Sequence, residues 1–268
     1  MIFAAPDWTL ARYRELLQVA SSRYAFEPFG TASEAVHALW RHDIDYSLQC
    51  ALEMASAEGS LGVRATYFVL LSSPYYNVFE PESTAALRRI VAAGHWLGLH
   101  FDPGAHPEIG RDGPALARVI AREGAILSDL AQAEVRAVSF HNPAFAGALD
   151  VDQPLLGGLV NAYGAPIRDR YVYASDSFGY WRHRPLDRVL AEDAPARLHA
   201  LTHPVWWRSR PGGSRERIAT VAEQRANAIL SEHDRLLARA GMYDALVQQD
   251  QLRGFAHPPD RRSQIDAQ

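Results

Sequence analysis

ALWRHDID (Ala38–Asp45), GLHFD (Gly98–Asp102), SFHNP (Ser139–Pro143) and LTHPVWW (Leu201–Trp207) share one form: a short apolar run that ends in histidine or aspartate. Apolar runs without alternation belong to strands buried on both faces, the habit of parallel strands covered by helices. Working outward, seven such runs occur: Ala38–Asp45, Arg64–Leu71, His95–Phe101, Val135–His141, Leu159–Tyr163, Tyr171–Asp176 and Arg197–His203. Helical patterns separate several of them, at Leu48–Glu58, Glu82–Ala93 and Gly113–Gln132. A further helix, Trp8–Ser22, precedes them with Leu10, Tyr13, Leu16, Leu17 and Ala20 on one face, and a long one, about Arg215–Ala240, follows. This alternation predicts an α/β protein, a distorted (β/α) barrel of seven parallel strands in a single domain. A doubly wound open sheet is the structural rival, but no GxGxxG follows any strand. The domain is expected over 1–249, with loops around two weak strands in Gly147–Tyr173 and a polar tail at 250–268.

Composition removes several classes of function. With 268 residues, 48% hydrophobic and 22% charged, the chain can bury one sizeable core. A net charge of −4 argues against a nucleic-acid partner or an anionic membrane surface. The single cysteine, Cys50, excludes a disulfide framework, a multi-thiolate zinc site and a CxxC redox motif. All 27 basic residues are arginine, which excludes a P-loop lysine, a pyridoxal Schiff base, a lysine-dependent aldolase and a Ser-Lys dyad. The opening MIFAAPDWTLARYRELL has no basic n-region or long apolar core, and the longest uncharged run, Ala65–Phe79, is too short to span a bilayer. The expectation is a cytoplasmic protein with no transmembrane segment.

In parallel α/β folds the site lies at the carboxyl ends of the strands, and here the polar residues gather at those ends. Asp43 and Asp45 are two apart on a strand and face one side, where two carboxylates repel unless a cation or a proton sits between them. His100 ends a strand that is otherwise apolar; with the two aspartates nearby it completes an ordinary divalent-metal set. Asp102 and His106, on the loop that follows, can each add a ligand. His141 can be a third ligand or orient an aspartate, and Asn142-Pro143 also reads as a turn opener. His203, flanked by Trp206 and Trp207, suits a general acid in a walled pocket. Asp176, Trp181 and Arg182, in the loop DSFGYWR, can bind a sugar or cap the barrel. Histidines 37, 42, 183, 199, 233 and 257 receive no role, and His42 is expected to point away from Asp43 and Asp45.

In its ordered strand-end motifs the chain resembles the NodB-homology polysaccharide deacetylases from about Ala38 to Trp207. The D-x-D form of the first motif is similar to the branch that acts on lipopolysaccharide sugars. The resemblance implies a metal-dependent hydrolase that removes an acetyl or formyl group from an amino sugar, in surface-polysaccharide, lipopolysaccharide or O-antigen biosynthesis. It implies Asp43 as base, Asp45 and His100 as metal ligands, and His203 as general acid. Where the family carries a second histidine four residues after the first, this chain has Gly104. Where it carries an arginine that steadies the base, this chain has His141.

On this basis Asp45, His100 and His141 are expected to hold one divalent ion, zinc first, with cobalt, nickel, iron or manganese as alternatives. Asp102 and His106 are substitutes for the third ligand. Arg41, Asp102, Asn142, Asp176, Trp181, Arg182 and Trp206 are expected to contact a nucleotide-linked or lipid-linked N-acylated amino sugar. An amidohydrolase barrel would need an HxH after the first strand. The rival from another class is a catalytically silent deacetylase-like barrel that binds a glycan or a protein partner.

Overall fold

In the computed structural model, which describes residues 8–109, 112–142, 151–181 and 184–252, the run that opens the site becomes a strand buried along its whole length. In chain order the strands are β1 (Ala25–Phe26), β2 (His37–Ile44), β3 (Thr66–Leu70), β4 (Trp96–Phe101), β5 (Val135–Phe140), β6 (Leu155–Leu156), β7 (Leu159–Asn161), β8 (Val172–Ser175) and β9 (Arg197–Thr202). They form one sheet in the order β6-β7-β5-β4-β3-β2-β9-β8, with β1 beside β2 off that path. Every pairing is parallel except that of β6 with β7. Strands β2–β5 and β7–β9 are the seven parallel strands read from the sequence. The curled sheet is a half-barrel: among the described residues its two edge strands, β6 and β8, do not pair, which leaves the curl open. Strands β1 and β6 are two residues each, too short to show an apolar pattern.

Four helices cover the strands: α1 (Leu10–Ser21), α2 (Leu48–Gly59), α3 (Pro81–Ala92) and α4 (Gly113–Ala131). Their starts follow from the caps. The side chains of Thr9, Ser47 and Asp112 accept the orphan N–H groups of Arg12, Cys50 and Ala115, and proline fills the first turn of α3 and α4. Helix α1 buries the expected stripe of Tyr13, Leu16, Leu17 and Ala20. Shorter helices, Ala165–Arg168 and Leu186–Arg188, follow, and then Ser214–Arg239 and Tyr243–Leu252. The chain divides into two compact units, Met1–Ile218 and Ala219–Gln268, and the sheet, α1–α4 and all the site residues described below belong to the first. Of the expected tail, residues 253–268 lie outside the described residues. Among the described residues no helix is long and apolar enough to cross a membrane.

Phe29, Leu39, Phe68, Ala137, Ala162 and Ile167 fill the inside of the curl. Gly98 of β4 lies opposite Phe68 of β3 in register, and a Cβ there would meet the Phe68 ring at 2.5 Å. Glycine is what lets the phenylalanine lie flat across the neighbouring strand.

The outer face of the sheet holds a second polar centre. Glu58 of α2 is wholly buried and accepts hydrogen bonds from the hydroxyls of Tyr13 and Tyr67, the latter at 2.6 Å. His42 Nε2 lies 2.6 Å from the same carboxylate, and its Nδ1 lies 2.7 Å from Thr202 Oγ1. Burial opposes the charge on Glu58, but His42 outweighs it and holds the carboxyl below its usual range. As the alternation requires, His42 turns away from Asp43 and Asp45.

Candidate metal centre and catalytic site

β5, β4, β2 and β9 end on the same side of the sheet, with β3 between β4 and β2, which brings together residues up to 160 positions apart in the chain. Asp45 lies just past β2, His100 near the end of β4, and His141 just past β5. His100 Nε2 is 3.1 Å from Asp45 Oδ1, His141 Nδ1 is 3.5 Å from the same oxygen, and the two nitrogens are 3.3 Å apart. Bonds of about 2.0–2.1 Å in a tetrahedron place neighbouring ligand atoms roughly 3.3–3.4 Å apart. The triangle therefore matches one face of a tetrahedral site and leaves the fourth position facing the cavity. Asp45 Oδ1 is also buried without a hydrogen bond, an orphan that a cation would satisfy. The three residues fit a divalent ion.

The surroundings orient these ligands. His100 Nδ1 lies 2.7 Å from Ser139 Oγ, so a proton on Nδ1 donates to the hydroxyl and leaves Nε2 free to ligate. The Asn142 side-chain amide lies 2.8 Å from His141 Nε2, and Asn142 itself takes a left-handed φ of 47°. Ligation through Nδ1 leaves the His141 proton on Nε2, to be accepted by the amide oxygen once that amide is turned over. The substitutes for the third ligand are engaged elsewhere. Asp102 accepts from the N–H of Gly104, whereas His106 Nε2 lies 2.6 Å from Glu123 and its ring stacks on Phe101.

A carboxylate and an imidazole flank the triad. Asp43 is held by a two-pronged bond from Arg41, whose Nε donates to Oδ1 and Nη2 to Oδ2, both at 2.7 Å. Burial works against the Asp43 charge, but Arg41 outweighs it and keeps the carboxyl below its usual range. On the other side, His203 Nδ1 lies 2.6 Å from Asp176, and its Nε2 points toward Asp45 Oδ2, 3.9 Å away. Asp176 is fully buried; it also accepts from the backbone N–H of His203 and from Trp207 Nε1 at 2.9 Å. Burial disfavours the charged ring of His203, but the hydrogen bond and charge of Asp176 prevail and raise it to about 9.

A cavity of about 350 Å³ opens over these groups, lined among others by Asp43, Asp45, His100, His141 and His203. Of the residues expected to touch substrate, Asn142 and Trp206 line it. Arg41 and Asp176 do not: both are wholly buried, one behind Asp43 and the other behind His203. Asp102 caps its own loop, Trp181 packs 5.2 Å from Trp8, and Arg182 lies outside the described residues. Sequence reasoning singled out Arg41 and Asp176 as substrate contacts, whereas they hold Asp43 and His203 by hydrogen bonds, and it missed Ser139, which sits behind His100. The i, i+2 spacing of Arg41 and Asp43 on one strand face was the available signal.

His199, given no role, also lines the cavity. Its ring is lowered to about 3, first by burial and then by the charge of Arg41. The unfolded chain takes up a proton near pH 6.5, whereas the folded one refuses it until about 3. Stability from this group is thus present above pH 6.5 and lost as pH falls from 6.5 toward 3, by up to about 1.4 kcal/mol per pH unit. Urea unfolding between pH 7 and pH 4 is expected to show a shallower decline in His199→Gln than in the wild type. Equal slopes would remove this assignment.

The fold and site define an α/β half-barrel with a candidate Asp-His-His metal triad set between a buttressed carboxylate and a buttressed histidine. No family model matches the sequence, and no curated protein matches it. Solved structures do show similarity. A family 4 carbohydrate esterase from Streptomyces lividans, in complex with acetate, is 15% identical over 74% of this chain and 91% of that one, with a TM-score of 0.39. A family 4 carbohydrate esterase from Bacillus anthracis is 14% identical over 85% and 94%, with a TM-score of 0.40. A mutant of BA3943, a CE4 family pseudoenzyme from Bacillus anthracis, with restored enzymatic activity, is 14% identical with a TM-score of 0.41. The match covers 73% of this chain and 64% of the pseudoenzyme's length.

Proposed function

We propose that the protein is a metal-dependent hydrolase that removes the N-acyl group of an amino sugar. The observation that carries this reading is the tetrahedral-face triangle of Asp45, His100 and His141 with Asp43 and His203 on either side of it. A divalent ion at the triangle would polarise an amide carbonyl and acidify a water. Asp43, kept ionised by Arg41, takes the proton of the attacking water as the C–N bond is prepared for cleavage. His203 holds a proton on Nε2, since Nδ1 is committed to Asp176, and delivers it to the departing amine. The buried Nε1 of Trp206 has no partner among the described residues and offers a donor to the sugar. Phe178, half-exposed at the cavity mouth with φ 60°, presents an aromatic face beside it. We assign the substrate to a nucleotide-linked or lipid-linked sugar in surface-polysaccharide synthesis, in keeping with the motif resemblance.

Metal analysis by mass spectrometry tests the reading. Near one equivalent of zinc or another divalent ion is expected in the purified wild type, lost in both Asp45→Ala and His100→Ala. The loaded protein is then expected to release carboxylate from N-acyl amino sugars. Metal without hydrolysis would favour the silent glycan-binding barrel, and no metal after soaking would overturn the hydrolase.

A further inference from the structure

The cavity extends well past the catalytic groups. His199 and His203 lie four residues apart on β9 and just beyond it, facing the same side, which corresponds to roughly 13 Å along the strand. The inner limb is walled by Tyr163, Ile167, Tyr171, Tyr173 and His199. Tyr173 and His199 are register partners with ring centroids 5.0 Å apart. Two of the wall's tyrosine hydroxyls are engaged within the protein, Tyr163 with Arg41 and Tyr171 with His37, whereas His199 Nε2 is buried and has no hydrogen-bond partner among the described residues. The formal charges beside the limb are paired, Arg41 with Asp43 and Arg168, which also lines the cavity, with Asp152 and Asp169.

A sugar ring does not suit such a limb, because most of its hydroxyls would be left without partners. An uncharged, mainly apolar group with one hydrogen-bonding atom does suit it. In the reaction proposed above, the part of the substrate that fits this description is the acyl group.

We propose that this aromatic limb receives the acyl chain of the substrate, and that this chain is longer than acetyl and carries a hydroxyl that meets His199 Nε2. The inference rests on the hydrolase reading for the identity of the occupant. A bare alkyl chain would leave the imidazole nitrogen unsatisfied, whereas a hydroxyl both donates and accepts. Acetyl or formyl would leave the limb empty beyond its first contacts.

The test compares two neutral amides, N-methylacetamide and N-methyl-3-hydroxybutanamide, by NMR titration of the protein with ¹⁵N-labelled histidine. The longer amide is expected to bind about tenfold tighter, the effect of two further buried carbons. It should shift the His199 imidazole resonance, and His199→Phe should lower the preference by removing the partner of the hydroxyl. Equal affinity for the two amides in the wild type would overturn the inference, and so would tighter binding that leaves the His199 resonance unmoved, with ordered water the limb's only occupant. The titration needs neither metal nor turnover, so its failure is distinct from failure of the hydrolase reading. Hydrolysis of N-acetyl sugars with no amide preference would remove the longer hydroxylated chain alone.

Discussion

Asp43→Asn is expected to lower turnover by about 10²–10⁴-fold while leaving the metal content unchanged. The asparagine keeps the shape of the side chain but cannot take the proton of the attacking water. Asp43 lies outside the ligand triangle, so an activity loss cannot be charged to a lost ion. His203→Gln is expected to fall in the same range, because the glutamine amide cannot hand a proton to the amine. Carboxylate release under single-turnover conditions measures both. A loss below tenfold in both variants would take the acid–base roles away from these residues and leave the triangle without catalytic partners.

Arg41→Met is expected to destabilise the fold by about 3–5 kcal/mol, the usual result of stripping the partner from a buried charge. Arg41 and Asp43 have side-chain exposures of 0% and 3%, so solvent does not screen the loss. The methionine roughly fills the volume, which separates charge from packing. Pairing Arg41→Met with Asp43→Leu is expected to restore most of the stability, since an apolar pair leaves no uncompensated carboxylate. Urea unfolding of both single variants and of the double variant measures the coupling. If Arg41→Met unfolds within about 1 kcal/mol of the wild type, the pair is not the buried buttress that its geometry indicates.

The strands were legible because each site-forming run stops in a residue that cannot belong to the core. The apolar pattern located the seven parallel strands, and the helical periodicity located the helices between them, because both signals are local. The triangle was legible for the same reason: Asp45, His100 and His141 each interrupt a strand end. What escaped depends on pairing between distant strands. Asp176 reaches His203 only because β8 lies beside β9, and nothing within its own loop shows that. Arg41 looked like a substrate contact, since a long cationic side chain at a strand end usually faces solvent. Here it folds along its own strand onto Asp43 instead. His199 shares a face with His203 by simple alternation, but the cavity beside it is walled by residues from outside β9, such as Tyr163 and Ile167, which no pattern within its own strand records. Asp102 and His106 were left in competition with His141 until the turn at Gly104 and the reach of Glu123 were visible.

Glu58 bears on how the chain can be shortened. Its carboxylate takes one of its donors from Tyr13 of α1, and Trp40 Nε1 in turn donates to that same tyrosine hydroxyl at 2.8 Å. Helix α1 is thus no detachable leader but a plug whose hydroxyl closes a buried charge. A protein trimmed to begin at β1 would keep every residue of the site and still leave a buried carboxylate one donor short behind the strand that carries Asp43. The practical boundary of the folded module on its amino side therefore lies ahead of Thr9, well before the first residue that takes part in the chemistry.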